Sequence, residues 1–180
     1  MVDAAMESAL KLKSLVVAAH RQAAYNNDNL SSDIVKRIAL TKAPFQQAVI
    51  GALASSGAGH GPIQHSRWLI YQGGPEAALA ILERKERVPG FGNSFFRDDI
   101  DEAWFTVRDF VKAEMPEDWE QLDAIHQAIL PIKEIHPNAA SFSAICAQRL
   151  GLPVGGELAL AMEARAVVWA IQWAEVFYNV

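Results

Sequence analysis

Apolar residues recur at spacings of three and four positions along nearly the whole chain of 180 residues. This period places them on one face of a helix, whereas the alternating Val, Ile and Thr runs that are typical of half-buried strands are missing from the sequence. The sequence therefore predicts an all-α protein. The predicted helices cover residues 4–25, 33–41, 44–57, 60–71, 75–86, 101–115, 116–130, 139–150 and 157–178.

Prolines and serines mark several of the predicted helix starts. Pro44, Pro75 and Pro116 suit first helical positions, because proline lacks the N–H group that a first turn leaves unpaired. Ser31 or Ser32 is expected to cap the second helix, since a serine oxygen accepts a hydrogen bond from a free N–H group of the first turn. The segment HPN, residues 136–138, is expected to cap the helix that begins at Ala139. These signals fix where helices begin more closely than the apolar pattern does.

Composition indicates helices that are covered on more than one side. Hydrophobic residues make up 51% of the chain and charged residues 21%, so some burial is expected against a second subunit. The net charge of −5, without a block of Lys and Arg, argues against nucleic-acid binding. The single cysteine, Cys146, cannot form an internal disulfide and fits a reducing, cytoplasmic location.

Two apolar or N-terminal segments could in principle direct the chain to a membrane, but neither has the sequence features that this requires. The last predicted helix is long enough to span a bilayer but carries Glu163, Arg165 and Glu175, which are costly in lipid, so a buried helix is expected. The N-terminal segment MVDAAMESALKLK lacks the basic region and apolar run of a signal peptide. We therefore expect no membrane partner.

One histidine lies between two glycines in the segment GAGHGPIQ. Glycine on both sides lets a ligand approach the His60 imidazole, which could then polarise an oxygen atom. A histidine that bonds to backbone at a helix start fits the same residues, and both interpretations stay open. A metal pair of His60 with His65 is disfavoured, because a spacing of five does not align two ligands on one helical face.

Three sequence blocks resemble the citrate synthase family, including the related citryl-CoA lyases. PFQQAVIGALASSGAGHGPIQ resembles the helix and HGG turn that deliver the first catalytic histidine of the family. VPGFGNSFF, within a predicted loop at 87–101, resembles the GFGH loop that contacts coenzyme A and carries the second histidine. The segment from HPNAASFS to ARAVVWAIQW is similar to the region YPNVDFYSG…GIP…ARTVGWIAHW.

The resemblance covers residues 30–173 of the chain and implies a citrate synthase-like multi-helical fold with a shortened N-terminal part. It implies one citrate synthase-like domain over residues 1–180, in which residues 75–150 form a lobe like the family's small domain. It also implies a homodimer or a higher assembly.

The resemblance places family functions on positions that have changed. His60 keeps the first histidine, but Asn93 stands where the family has the second, and Ala140 stands where it has the aspartate base. The family's carboxylate-binding arginine falls near Glu102, where Arg97 or Arg108 could substitute for it. Losing a general base costs about 10² to 10⁴ in rate, so the family reaction is not expected.

Two binding elements of the family remain. Arg165 matches the arginine of the ART helix, and it is expected either to form a structural ion pair or to hold a ligand carboxylate or phosphate. The loop formed by Val88, Pro89, Gly90, Phe91 and Gly92 is expected either to be a tight structural turn or to accept a coenzyme A or acetyl-CoA arm.

Function is therefore predicted as non-catalytic, with a structural or protein-binding role and no required cofactor. Two alternatives stay open. One is an acyl-CoA lyase or ligase that works with altered catalytic groups, including His60 and Arg165. The other is a sensor that binds coenzyme A without turnover.

Overall fold

The computed structural model of the protein describes residues 4–26, 30–55, 62–92 and 102–179. Within these ranges the chain is helical and forms no strand, apart from an isolated bridge between Phe91 and Pro137. The helices are α1 (Ala4–Asn26), α2 (Leu30–Leu40), α3 (Phe45–Ser55), α4 (Pro62–Trp68), α5 (Gly74–Glu83), α6 (Phe105–Glu114), α7 (Pro116–Ile129), α8 (Ala139–Arg149) and α9 (Gly156–Tyr178). The all-α prediction is confirmed.

Helix α8 runs through the centre of the main core. Every residue from Ser141 to Ala147 is buried, and α1, α4 and α9 pack around the helix. Small and hydroxyl side chains in SFSAICA let these neighbours approach closely. Phe142 stacks on Trp104 at 5.7 Å between ring centroids, and the edge of His20 meets Trp104 at 4.7 Å.

A smaller core joins α2 and α3 to the long last helix. Val35, Ala48, Ala52 and Trp169 are buried together. Gly51 lies against Ile38 so closely that a Cβ atom there would be 2.7 Å from the Ile38 Cδ1 atom. A glycine at this position therefore lets α2 and α3 touch.

Predictions for three helix ends are wrong, and two of them concern α2 and α5. Ser31 and Ser32 are not caps, because α2 already begins at Leu30 and both serines are buried in its first turn. The helix that contains Pro75 ends at Glu83 instead of Glu86, because Lys85 adopts a left-handed backbone conformation with φ of 59°.

The helix that begins with α4 does not stop at Tyr71. It continues as a π-helical turn over Leu69–Gly73, which closes when the Gly74 N–H bonds to the Leu69 carbonyl oxygen. Gly74 has φ of 64°, and this left-handed conformation ends the turn. The turn directs the Tyr71 hydroxyl to Asp118 Oδ1 at 2.6 Å on α7.

Candidate functional site

The loop Val88–Gly92 is bonded to the segment that starts α8. Gly92 N–H donates to the His136 carbonyl oxygen at 2.8 Å, and Asn138 N–H donates to the Gly90 carbonyl oxygen at 2.8 Å. The Asn138 side chain donates from Nδ2 to the Gly92 carbonyl oxygen at 2.7 Å. Backbone groups that a ligand could have used are thus occupied within the protein.

Gly90 makes this close docking feasible. Its φ of 85° is a conformation that residues with a Cβ atom rarely adopt. The Ser141 hydroxyl donates to the Gly90 carbonyl oxygen at 2.7 Å, and a Cβ atom on Gly90 would collide with Ser141 Oγ and lie 3.2 Å from Ser66 Oγ. The GFG motif therefore has a demonstrable packing function.

Ala140 lies in the first turn of α8, half-buried, beside this docked loop. Its N–H donates to Asn138 Oδ1 at 2.9 Å, which caps the helix as the sequence predicts. Its side chain is a methyl group and cannot take a proton. The adjacent Ser141 hydroxyl is already committed to Gly90, so neither residue supplies the base that the family places here.

Two histidines behind the loop were not identified as a pair from the sequence. The Phe91 ring stacks on His126 at 6.3 Å between centroids, and the edge of His136 meets His126 at 5.1 Å. Burial, and then the positive charge of His136, lowers the pKa of His126. A weak signal for His126 is its position on α7, four residues after the buried Leu122 and one after the buried Ile125.

Arg165 lies on the face of α9 that meets α2. Its Nη1 atom is 3.4 Å from Ser31 Oγ, and burial lowers the pKa of its guanidinium group. Glu163, two residues earlier on α9, pairs with Lys13 of α1 at 3.1 Å. The Arg165 side chain thus lies between α2 and α9, and its role in binding a ligand stays a prediction.

Glu102 and Arg108, two described residues near the place of the family's carboxylate-binding arginine, do not form a carboxylate-binding site. Glu102 is exposed in a 3₁₀ turn over Glu102–Trp104. Arg108 pairs with Asp109 at 2.8 Å and lies over the Phe105 ring at 4.8 Å.

A shallow groove of about 260 Å³ opens next to Pro89. Trp68 is 46% exposed on its wall and packs its ring against Gly73. Arg84 Nε lies 3.0 Å from Glu86 Oε1, so the negative charge of Glu86 partly neutralises the positive charge on this wall of the groove. The residues that line the groove are His65, Trp68, Ile81, Arg84, Glu86, Arg87 and Pro89.

His60, Asn93 and Arg97 lie outside the described residues, and the predictions made for them stay predictions. Within the described part of the chain, no group of three His, Cys, Asp or Glu side chains could hold a metal ion. In the same ranges, no helix is both long and apolar enough to cross a membrane. Burial raises the pKa of the Cys146 thiol to about 12.

The overall similarity of this helical structure to two solved structures shows that it has the all-helical citrate synthase-like fold. The resemblance found in three sequence blocks is thereby confirmed as a shared fold.

Two solved structures show this fold similarity. Citryl-CoA lyase from Hydrogenobacter thermophilus matches with a TM-score of 0.79 at 16% identity, over 95% of this chain and 70% of that chain. Citrate synthase from Thermotoga maritima matches with a TM-score of 0.76 at 19% identity, over 96% of this chain. The match spans only 49% of the citrate synthase chain. No protein-family model and no curated protein matches the sequence.

Proposed function

We propose that this protein is a non-catalytic relative of citrate synthase-like enzymes, with a structural or protein-binding role. The observation that carries the proposal is Ala140 at the start of α8. A base must come within hydrogen-bond reach of the proton that it abstracts, and a methyl group occupies this place. Asn138 and Ser141, the polar neighbours, hold the loop instead.

An exposed apolar helix supports the protein-binding part of the proposal. Helix α3 contains no charged residue, and its Ile50 and Leu53 side chains are 67% and 47% exposed. An uncharged face pairs with another uncharged face without leaving an unpaired charge buried. A second copy of the chain carries such a face, so we propose a homodimer or a larger assembly. The single cysteine, Cys146, which cannot form an internal disulfide, agrees with a cytoplasmic location.

Two product assays test the absence of catalysis. Purified protein is incubated with acetyl-CoA and oxaloacetate, and the release of free thiol is followed. It is also incubated with citryl-CoA, and the formation of oxaloacetate, which a lyase would produce together with acetyl-CoA, is followed. We expect neither product above the rate without protein. The double variant Ala140→Asp and Asn93→His restores the two missing groups and shows whether the scaffold still holds a cleft. Turnover by the unaltered protein that disappears in His60→Ala would support the alternative of an acyl-CoA lyase or ligase.

The groove beside Pro89 favours a second candidate function, the binding of coenzyme A without turnover. Arg84, Arg87 and His65 bring positive or protonatable groups to a wall that includes the exposed Trp68 ring. Phosphate groups pair with arginine, and an adenine ring stacks on tryptophan.

Calorimetric titration with free coenzyme A tests this candidate. We expect Arg87→Glu to weaken binding by about tenfold, which corresponds to about 1.4 kcal/mol. Arg21→Glu, which makes the same charge change on an exposed part of α1, should leave binding unchanged. No heat of binding at millimolar coenzyme A would remove the sensor hypothesis and leave the structural role.

A further inference from the structure

Three aromatic rings form a small cluster where the loop Val88–Gly92 meets α7 and the segment before α8. Phe91 is only 6% exposed, and the His126 side chain only 14%. The Nε2 atoms of His126 and His136 are both buried, and neither has a hydrogen-bond partner among the described residues. Two imidazoles with buried, unpartnered nitrogens lie edge to face at 5.1 Å.

The neutral forms of these histidines fit the cluster, and the charged forms do not. A proton added to a buried Nε2 atom creates a donor without an acceptor and a charge in an apolar setting, both of which are unfavourable. A second imidazolium at this distance would add repulsion. The Oδ1 atom of Asp123 is 4.0 Å from His126 Nδ1, too far for a hydrogen bond.

The other charged groups around the pair do not offset this cost. The loop Val88–Gly92 carries no titratable side chain. The charges that act on His126 come from His136, which lowers its pKa, and from Asp123, which raises it. Most charged side chains on the remaining neighbouring elements are exposed to solvent. These are Lys133 and Glu134 before α8, Glu76 and Glu83 on α5, the residues 84–87 after it, and Asp109, Lys112 and Glu114 on α6. Two charged side chains that are less exposed have partners of their own: Arg108 of α6 pairs with Asp109 at 2.8 Å, and the buried Asp118 of α7 pairs with Arg149 at 2.6 Å.

The histidine pair is mechanically connected to the docking of the loop. The His136 carbonyl oxygen accepts the Gly92 N–H group, and the next residue, Pro137, forms the bridge with Phe91. Asn138, two residues on, makes the bonds to Gly90 and Gly92. A shift of the His136 ring away from a charged His126 would therefore pull on the bonds that residues 136–138 make to the loop.

We propose that His126, packed between Phe91 and His136, is a proton-operated latch, which holds the loop Val88–Gly92 against α8 while the His126 ring is neutral and releases the loop when that ring is protonated. Burial lowers the folded-state pKa of His126 below its ordinary value of about 6.5. The stabilisation is therefore complete above about pH 6.5 and is lost as the pH falls through the lower folded-state value. The latch goes beyond the proposed function and does not depend on coenzyme A binding.

Hydrogen exchange of two backbone amides tests the latch. The Gly92 and Asn138 N–H groups, whose acceptors lie across the docking contact, are followed by NMR at pH 7.5 and pH 5.5, with rates corrected for intrinsic exchange. We expect their protection to fall by about tenfold for each pH unit through the transition. Amides of the α1 core, such as those of Leu12 and Val16, should keep their protection.

Matched variants separate the latch from other histidines. The double variant His126→Phe and His136→Phe keeps aromatic rings in the cluster and should abolish the pH dependence. His65→Gln, which changes an exposed histidine, should retain it. His20 is buried on α1 and bonded to Ser143 at 2.8 Å, so its protonation would show in the α1 amides instead.

Two results would overturn the proposal. One is protection of Gly92 and Asn138 that either stays constant between pH 7.5 and pH 5.5 or falls in parallel with the α1 amides. The other result comes from the unaltered protein alone, so it can be obtained even if the double variant does not fold. It is an NMR titration of the unaltered protein in which His126 protonates at or above the pH at which the exposed His65 does.

Discussion

Gly90 is the residue on which the loop geometry depends most directly. Its left-handed backbone and its contact with Ser141 each exclude a side chain. Gly151 has a similar φ of 63° but nothing within 4 Å of the place where a Cβ atom would lie. A Cβ atom added at Gly151 would therefore meet only the strain of the backbone conformation, whereas one added at Gly90 would meet that strain and a collision with Ser141.

We expect Gly90→Ala to lower the free energy of unfolding by about 3 kcal/mol, because strain and collision add. Gly151→Ala should cost about 1 kcal/mol, from strain alone. Urea denaturation of both variants measures the difference. Equal losses would show that the loop moves away from Ser141 without penalty.

At the scale of elements, an ion pair ties α4 to the start of α9. The Glu157 side chain is fully buried, and its Oε1 atom is 2.8 Å from Arg67 Nε. Arg67 also donates from Nη1 to the Leu152 carbonyl oxygen at 2.7 Å, and Glu157 Oε2 accepts the Gly155 N–H group at 3.1 Å. The pair thus fixes the turn between α8 and α9 against α4.

A double-mutant cycle tests this tie. Glu157→Gln and Arg67→Met should each cost about 2 to 4 kcal/mol, because each leaves a buried polar partner without its counter-charge. The double variant should lose less than the sum of the two. Thermal unfolding gives the three values, and strict additivity would contradict a direct interaction.

Sequence predicted these elements well where a local signal decides the structure. Asn138 caps α8 and Pro116 starts α7, because both act on the turn in which they occur. The π-helical turn over Leu69–Gly73 was not foreseen, because the bond from Tyr71 to Asp118 joins residues 47 positions apart. Ser31 and Ser32 have good capping chemistry, but both are buried inside α2, where packing overrides it.

Some features of the candidate site could likewise be predicted from the sequence, and others could not. The family resemblance implied that the GFG and HPN segments belong to one site, and the hydrogen bonds between them agree. It could not show that those bonds occupy the loop's own backbone groups. The pairing of His126 with His136 depends on how α7 lies against the segment before α8, which no local pattern encodes.

At the scale of the whole molecule, the open question is what covers α3. Its exposed residues are Gln46, Gln47, Ile50, Leu53 and Ala54, so this face carries two large apolar side chains and no charge. Stable protein interfaces bury about 1,200 Å² or more in total, so neighbouring surfaces of the same chain would have to contribute to an interface centred on α3.

Light scattering after size exclusion tests the assembly. We expect a mass of about twice the chain mass of 19.7 kDa, or a larger multiple. The double variant Ile50→Glu and Leu53→Glu should elute as a monomer, because it places charges in the apolar contact. Val154→Glu alters another exposed apolar residue and should leave the mass unchanged. A monomer for the unaltered protein would remove the homodimer proposal.

The π-helical turn after α4 also bears on how this chain can change its length. A turn closed from Gly74 to Leu69 spans five residues, one more than the spacing within an ordinary α-helix. Loss of one exposed residue there, such as Gln72, could be absorbed by a return to α-helical geometry. The helices on either side would then survive the deletion, but the Tyr71 hydroxyl would rotate away from Asp118, and α7 would lose its link to this turn.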